Sequence, residues 1–358
     1  MNLVAKHLFE DSSKLAGVHA ELVGPSYRRF YTKLPLLGGL RLAVNADRFF
    51  NRMRHYPNAL AKLKDKFDVF HICDHAYANL VHALPPERTG VYCHDLDTFA
   101  CLFDPQTSRR PRWFRNMMRR VLEGMQNAAI VFHSTLEIRR QILAHKLIDE
   151  RRLIQVYYGV EPRFNPTTPE DDPAASFLAP LKGRPFIYHA GNNLPRKRLD
   201  VLIKVFAGLR ARYPELQLVQ TGADLSKISV AELDALRNAG VVHALGFVPR
   251  EVQPSLYRRA ALVLVPSDAE GFCFPVIEAL ACGTPLVASD IPTLRESGGN
   301  AATFCPVANI DAWVEACSRI LADPSVAPPK EVRLAHAARF TWAAHAEKIV
   351  QAYQRMQT

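Results

Sequence analysis

The chain of 358 residues is 48% hydrophobic with a formal net charge of +10, enough for two domains of roughly 150 to 180 residues. That charge calls for an anionic partner, with nucleotide phosphates, anionic lipid and nucleic acid as the choices; no helix-turn-helix, zinc-finger or RNP-type pattern accompanies it, which argues against nucleic acid. The seven cysteines form no C-x-x-C pair and are odd in number, which argues against a disulfide framework or a zinc site and for reduced thiols in a cytoplasmic setting.

In chain order, MNLVAKHLFEDSS has too short an apolar run for a signal peptide, and no stretch approaches ~18 continuous apolar residues. Asn2–Ala5 reads as a weak first strand. Strand-like runs follow at Asp68–Ile72, Gly90–Cys93 and Ala128–Phe132, each short, β-branched and followed by polar residues. Helical stretches lie around 47–66, 77–83, 111–126 and 136–145. This is the βαβ rhythm of a doubly wound sheet.

One of these helical stretches carries much of the charge. Arg109, Arg110, Arg112, Arg115, Arg119 and Arg120 are interleaved with Trp113, Phe114, Met117, Met118, Val121 and Leu122, without an acidic residue. At helical spacing this sets a basic face beside an aromatic and apolar one, the make-up of a segment lying in an anionic lipid interface. A solvated arginine face with its apolar side in the core has the same pattern. Tyr27-Arg28-Arg29-Phe30-Tyr31 repeats the composition on a smaller scale.

Composition changes at Glu161–Pro185, which holds six prolines and an acidic cluster and reads as an interdomain linker. A second set of elements follows: a strand at Phe186–Ala190, the loop Gly191-Asn192-Asn193-Leu194-Pro195-Arg196-Lys197-Arg198, and a helix over about 199–213. Adjacent cations on a glycine-initiated loop at a strand's end suit a diphosphate, arginine as a fork and lysine as a point charge; by itself such a run is more often a solvated surface. Further strands are expected at Leu216–Gln220 and near Val241, the latter leading to Leu245-Gly246-Phe247-Val248. Pro254 delays or kinks the next helix, and Asp311–Leu321 is helical.

The stretch Ala261–Asp290, ALVLVPSDAEGFCFPVIEALACGTPLVASD, organises this half. Ala261–Val265 is a buried parallel strand. A helix starts near Pro275, with Val276, Ile277, Leu280 and Ala281 on one face, and stops at Gly283-Thr284-Pro285, before a second strand, Pro285–Ala288. Ligands bind at the carboxyl ends of parallel strands, where Glu270 sits in the loop and Glu278 on the helix. The free N–H groups and dipole of a helix start suit a phosphate, and carboxylates accept hydrogen bonds from sugar hydroxyls. Together these make a nucleotide-sugar site. Acidic residues near helix starts also occur simply because they complement the dipole.

EGFCFPVIEALACGTPLVASD resembles the signature of the large retaining glycosyltransferase family often called family 4, glycosyl transferases group 1, with its glutamate pair separated by seven residues. The resemblance implies a GT-B fold, α/β with two Rossmann-like domains facing across a cleft. Residues 1–160 form the acceptor-side domain, joined by a closing helix at 341–358; 161–185 is the linker; 186–340 binds the nucleotide sugar. It gives diphosphate binding to Gly191, Asn192, Arg196 and Lys197, with Arg198 as a second source of charge, since many relatives have arginine at the position of Asn192. It gives the nucleobase to Phe247 and Val248, the donor sugar to Glu270 with Phe272 and Cys273 beside it, the departing diphosphate also to the helix start Phe274, Pro275 and Val276, and the ribose to Glu278. Cys273 stands where the family usually has glycine and narrows the pocket. His94, in His94-Asp95-Leu96 beyond the third strand, resembles the histidine lining the donor-sugar pocket; by residue type alone a satisfied structural histidine is the commoner case. The stretch Ser12–Val18, where a glycine-rich loop is usual, has one glycine, so acceptor contacts there depart from the pattern.

The expected reaction is glycosyl transfer with retention, moving a hexose from a nucleotide-diphosphate sugar to a glycan or lipid-linked acceptor in cell-surface polysaccharide or glycolipid synthesis. His94, Arg196, Lys197 and Glu270 are the catalytic candidates. No metal and no separate cofactor are expected, because the cations and the helix start already meet the diphosphate charge. The setting expected is cytoplasmic, peripheral on the membrane through Arg109–Arg120. A nucleotide-sugar epimerase and a catalytically silent binding protein are the other classes on such a scaffold.

Overall fold

The computed structural model describes residues 2–34, 40–104, 106 and 108–357. The chain divides into two compact units: Met1–Tyr158 with Trp342–Thr358, and Gly159–Thr341.

The first unit is built on a parallel sheet of β1 (Phe70–Ile72), β2 (Thr89–Cys93), β3 (Ile130–His133) and β4 (Leu153–Gln155), in that spatial order. Alternation along the strands feeds two layers, because successive side chains point to opposite faces. Val91, Cys93 and Val131 meet Val121 and Met125 of the helix Arg112–Asn127 on one face. On the other, Phe132 meets Tyr353 of the closing helix Trp342–Gln357. A side chain at Gly90 would collide with the Tyr353 ring, so glycine lets that helix lie close to β2.

Asn2–Ala5 is not a strand. It begins the helix Asn2–Ser12, because buried Val4 and Leu8 are four residues apart and make a helical rather than an alternating face. His7 stacks on Trp342 at 4.7 Å between ring centroids. Ser12–Val18 therefore follows a helix, not a strand, and does not occupy the place of a strand-end loop. Residues 41–60 continue as helix, with a π-helical turn at Asn51–His55.

The second unit holds β5 (Phe186–Ala190), β6 (Gln217–Thr221), β7 (Val242–Gly246), β8 (Leu262–Val265), β9 (Leu286–Ser289) and β10 (Thr303–Cys305). Their order is β10-β9-β8-β5-β6-β7, all parallel. Leu262 and Leu264 pack into the layer of the helices Leu199–Arg212 and Ile310–Ala322. Val263 and Val265 pack into the layer of the helix Phe274–Ala281. The proline-rich stretch is fixed to this unit, with Phe164, Leu178 and Leu181 in its core. Pro254 sits in the first turn of Gln253–Arg259, where its missing N–H has no partner to lose.

Candidate active site

β5 and β8 are neighbours, but the chain leaves β5 toward β6 and β7 and leaves β8 toward β9 and β10. Where strand order reverses, the loops beyond the carboxyl ends part and leave a crevice. The two loops bordering it here are Gly191–Arg198, after β5, and Pro266–Cys273, after β8.

The first loop is clamped from below. Gly191 N–H donates to Thr221 O at 3.0 Å, and its carbonyl accepts from Gln220 Nε2 at 2.8 Å. A Cβ on Gly191 would lie 2.7 Å from the His189 ring, so only glycine passes over that buried ring. Asn192 Oδ1 accepts from Leu194 N–H at 3.1 Å, closing an Asx turn. Pro195–Lys197 then forms one short helical turn.

The turn meets the second loop through charge. Arg196 Nη1 donates to Glu270 Oε2 at 2.5 Å and to Ala269 O at 2.9 Å. Lys197 Nζ donates to Glu270 Oε1 at 2.6 Å, and Asp268 N–H donates to Arg196 O at 2.9 Å. Only 4% of the Glu270 side chain is exposed. Two cations thus share one carboxylate, leaving the cluster with one net positive charge. Arg198 stays apart, held by both oxygens of Asp200 at 2.9–3.0 Å, so the second cation beside Glu270 is Lys197.

The helix Phe274–Ala281 begins four residues after Glu270, and its cap is Cys273 in the left-handed region at φ 75°. That conformation is the one glycine adopts freely and other residues at a cost of ~1–2 kcal/mol. Phe272 and Val276 are buried around it, while Phe274 and Pro275 are half-buried at the helix start. Burial pushes the Cys273 thiol well above its ordinary range, so it stays protonated.

Glu278 lies on the same helix but is buried. Its carboxylate accepts from Arg250 Nη2 and, at 3.0 Å, from Tyr257 Oη. Arg250 also reaches Glu161 at 2.7 Å and covers the Phe164 ring at 4.6 Å. Burial raises the Glu278 carboxyl despite Arg250 and Tyr257, which favour its charge. Burial also works against the charge of Arg250, but Glu278 and Glu161 prevail and raise it. Arg250, Glu161 and Tyr257 had no motif to mark them; an arginine near the start of a helix, against the dipole, was the available signal. Phe247, beyond β7, is 94% exposed and Val248 half-buried.

His94 belongs to the first unit. Its Nε2 pairs with Cys73 O at 2.8 Å, which fixes that nitrogen as the donor, and its Nδ1 faces the Tyr158 hydroxyl. Its backbone N–H donates to His75 Nδ1 at 3.2 Å, leaving His75 Nε2 to donate to Thr98 Oγ1 at 3.1 Å. Burial lowers both histidines, so both are neutral near pH 7. Both ring nitrogens of His94 are engaged within its own unit. In the basic helix, Met118, Val121 and Met125 are buried and only its first turn presents an aromatic outward, Trp113 at 59% exposure.

Residues 174–341 match the family model described as Glycosyl transferases group 1. The chain is 25% identical over 85% of its length, and 78% of the relative's, to the O-antigen chain mannosyltransferase B of Escherichia coli. It is 32% identical over 60% of its length to the D-inositol 3-phosphate glycosyltransferase of Nocardia farcinica, spanning about half (52%) of that protein. Among solved structures it resembles the sucrose-phosphate synthase of Thermosynechococcus elongatus, with TM-score 0.68, 21% identity, and coverage of 87% of this chain and 79% of that one. It also resembles HepE of Anabaena in complex with UDP and glucose, with TM-score 0.69, 15% identity, and coverage of 85% and 82%. Residues 174–341 are therefore a glycosyl transferases group 1 domain, carried in a chain of GT-B fold.

Proposed function

We propose that the chain is a retaining glycosyltransferase that moves a hexose from a nucleotide-diphosphate sugar to a glycan or lipid-linked acceptor. The observation that carries this is the clustering of Arg196, Lys197 and Glu270 beside a helix start at the strand-order reversal. A hexose and a glycan acceptor accord with the name of the Escherichia coli relative. A nucleoside diphosphate accords with the UDP bound by HepE.

The barrier to breaking the glycosidic phosphate bond is the charge that develops on the leaving diphosphate. Arg196, Lys197 and the N–H groups from Phe274 onward stabilise it without reorganising, the kind of electrostatic contribution that usually dominates. As the diphosphate takes over the two cations, Glu270 turns its carboxylate to the donor-sugar hydroxyls. The acceptor oxygen then bonds to the anomeric carbon on the face the leaving phosphate vacates, and a phosphate oxygen takes its proton. Phe247 and Val248 contact the base. Glu278, kept in place by Arg250 and Tyr257, serves the ribose side. His94 is assigned a donor-sugar hydroxyl on the motif resemblance; one of its present partners must yield for that bond to form. Contact with an anionic membrane at Arg109–Arg120 is centred on Trp113.

Nucleotide release over a panel of UDP-, GDP- and ADP-sugars, with and without glycan and lipid acceptors, tests the reading. Acceptor-dependent release with the new linkage in the donor's anomeric configuration is expected. Release without acceptor, or an inverted product, overturns it. Glu270→Gln should lower turnover at least about a hundredfold, in line with the size of orientation effects, while the circular-dichroism spectrum is retained. Turnover equal to wild type would remove Glu270 from the chemistry.

A further inference from the structure

The first unit carries a pocket of about 250 Å³ lined by Arg28, Phe50, Arg54, His55, Asn58 and Lys62, with no carboxylate on its wall. Arg28, Arg54 and Lys62 take part in no ion pair among the described residues. Three cations around one small space repel one another, and the focused positive potential draws an anion.

The pocket is built, not incidental. Arg28 comes from the loop Ser26–Thr32, which is pinned to the helical wall by buried side chains. Asp47 accepts from the N–H groups of Phe30, Tyr31 and Thr32 at 2.9–3.1 Å and from the Thr32 hydroxyl at 2.6 Å. The last contact and the three N–H groups outweigh burial and hold the Asp47 carboxyl at about 2. Asn51 brackets Arg28 itself, accepting from its N–H at 2.8 Å and donating to its carbonyl at 2.6 Å. His55 Nε2 pairs with Ser26 O at 3.1 Å. Arg54 and His55 come from the π-helical turn Asn51–His55, a local widening found frequently at functional sites.

Two arginine forks and one lysine point charge match a tetrahedral, multiply charged oxyanion. We infer that this pocket is a phosphate-binding site, separate from the candidate donor site of the second unit. It takes the phosphate of either a lipid headgroup or a soluble phosphorylated compound. Exposed Tyr27, Phe30 and Tyr31 on the Arg28 loop give a headgroup an apolar surface beside its phosphate.

The test uses the full chain as wild type, Arg54→Gln/Lys62→Gln, Asn58→Asp and Lys197→Gln. Phosphorus NMR titration with inorganic phosphate reads the pocket, and Lys197→Gln separates it from the donor site. Wild type and Lys197→Gln should bind alike at the pocket. The double variant and Asn58→Asp, which adds a carboxylate at an exposed rim position, should bind at least about tenfold more weakly, the equivalent of ~1.4 kcal/mol. Flotation with phosphatidylcholine vesicles, with or without phosphatidic acid, identifies the source. Loss of phosphatidate-dependent flotation in the double variant points to a headgroup; unchanged flotation with loss of inorganic phosphate points to a soluble compound. Phosphate affinity unchanged in the double variant, or no wild-type phosphate binding that survives Lys197→Gln, overturns the inference.

Discussion

Cys273 is a cysteine in a glycine's backbone conformation. At φ 75° its Cβ is strained, and the neighbouring loop tolerates this because Phe272, Cys273 and Val276 are locked in the core. Cys273→Gly and Cys273→Ala both delete the thiol, but only glycine relieves the backbone. The glycine variant should therefore be the more stable of the two by ~1 kcal/mol, read as a difference in denaturant midpoint at equal slope. Equal midpoints would place the strain elsewhere. Glu270, Arg196 and Lys197 were legible in the sequence because each sits in a short motif whose chemistry is explicit. Their mutual ion pairs, spanning 73 and 74 residues, were not, since a carboxylate assigned to a sugar gives no hint that it also neutralises the phosphate cations. Likewise, Arg250 and Glu161 meet across 89 residues, and only the fold brings them under Glu278.

At the scale of elements, strands read well where burial on both faces left continuous apolar runs, as at β5 and β8. No strand was expected at β4 or β10, each three residues long with a polar side chain and only partial burial. Asn2–Ala5 failed as a strand because four residues hide the helical spacing that Val4 and Leu8 complete. The basic helix Arg112–Asn127 lays its apolar side in the core, as the solvated-arginine reading expects; lipid contact by its first turn is the proposal. Its later turns are core, with Gly124 so close to the backbone of Ala78 that a Cβ there would lie 2.0 Å from the carbonyl oxygen. Its first turn projects Trp113, edge-on to Phe49 at 6.1 Å. Trp113→Ala should lower partitioning onto anionic vesicles about tenfold, the order expected for losing one aromatic from an interface, with thermal stability unchanged. Met118→Ala should instead cost ~2–5 kcal/mol of stability. If Trp113→Ala floats with vesicles as wild type does, membrane contact does not run through this helix.

For the whole molecule, buried histidines tie stability to pH. His133 and His345 are both in the first unit, almost without exposure. Each gives its Nδ1 to a backbone carbonyl, Thr135 O at 3.0 Å and Tyr157 O at 2.8 Å. Burial pushes both down to about 4, against the partial support of those carbonyls. An unfolded histidine titrates near ~6.5, so between pH ~6.5 and about 4 the unfolded chain binds protons that the folded chain refuses. The contribution of each neutral ring is complete above ~6.5 and is lost as pH falls toward about 4, at up to ~1.4 kcal/mol per pH unit for each. Urea midpoints should accordingly drop steadily on acidification from pH 7.5 to 4.5. His133→Asn/His345→Asn keeps a side-chain donor for the carbonyls but has nothing to titrate, and should flatten that slope even though it lowers stability at pH 7.5. A slope as steep in the variant as in the wild type would assign the acid sensitivity to other groups, first His71 and His189, which burial pushes down to about 3, and then burial-lowered His94 and His75. His94 is itself proposed to meet the donor sugar and His75 accepts from its N–H, so their titration would register in KM before it registered in the urea midpoint.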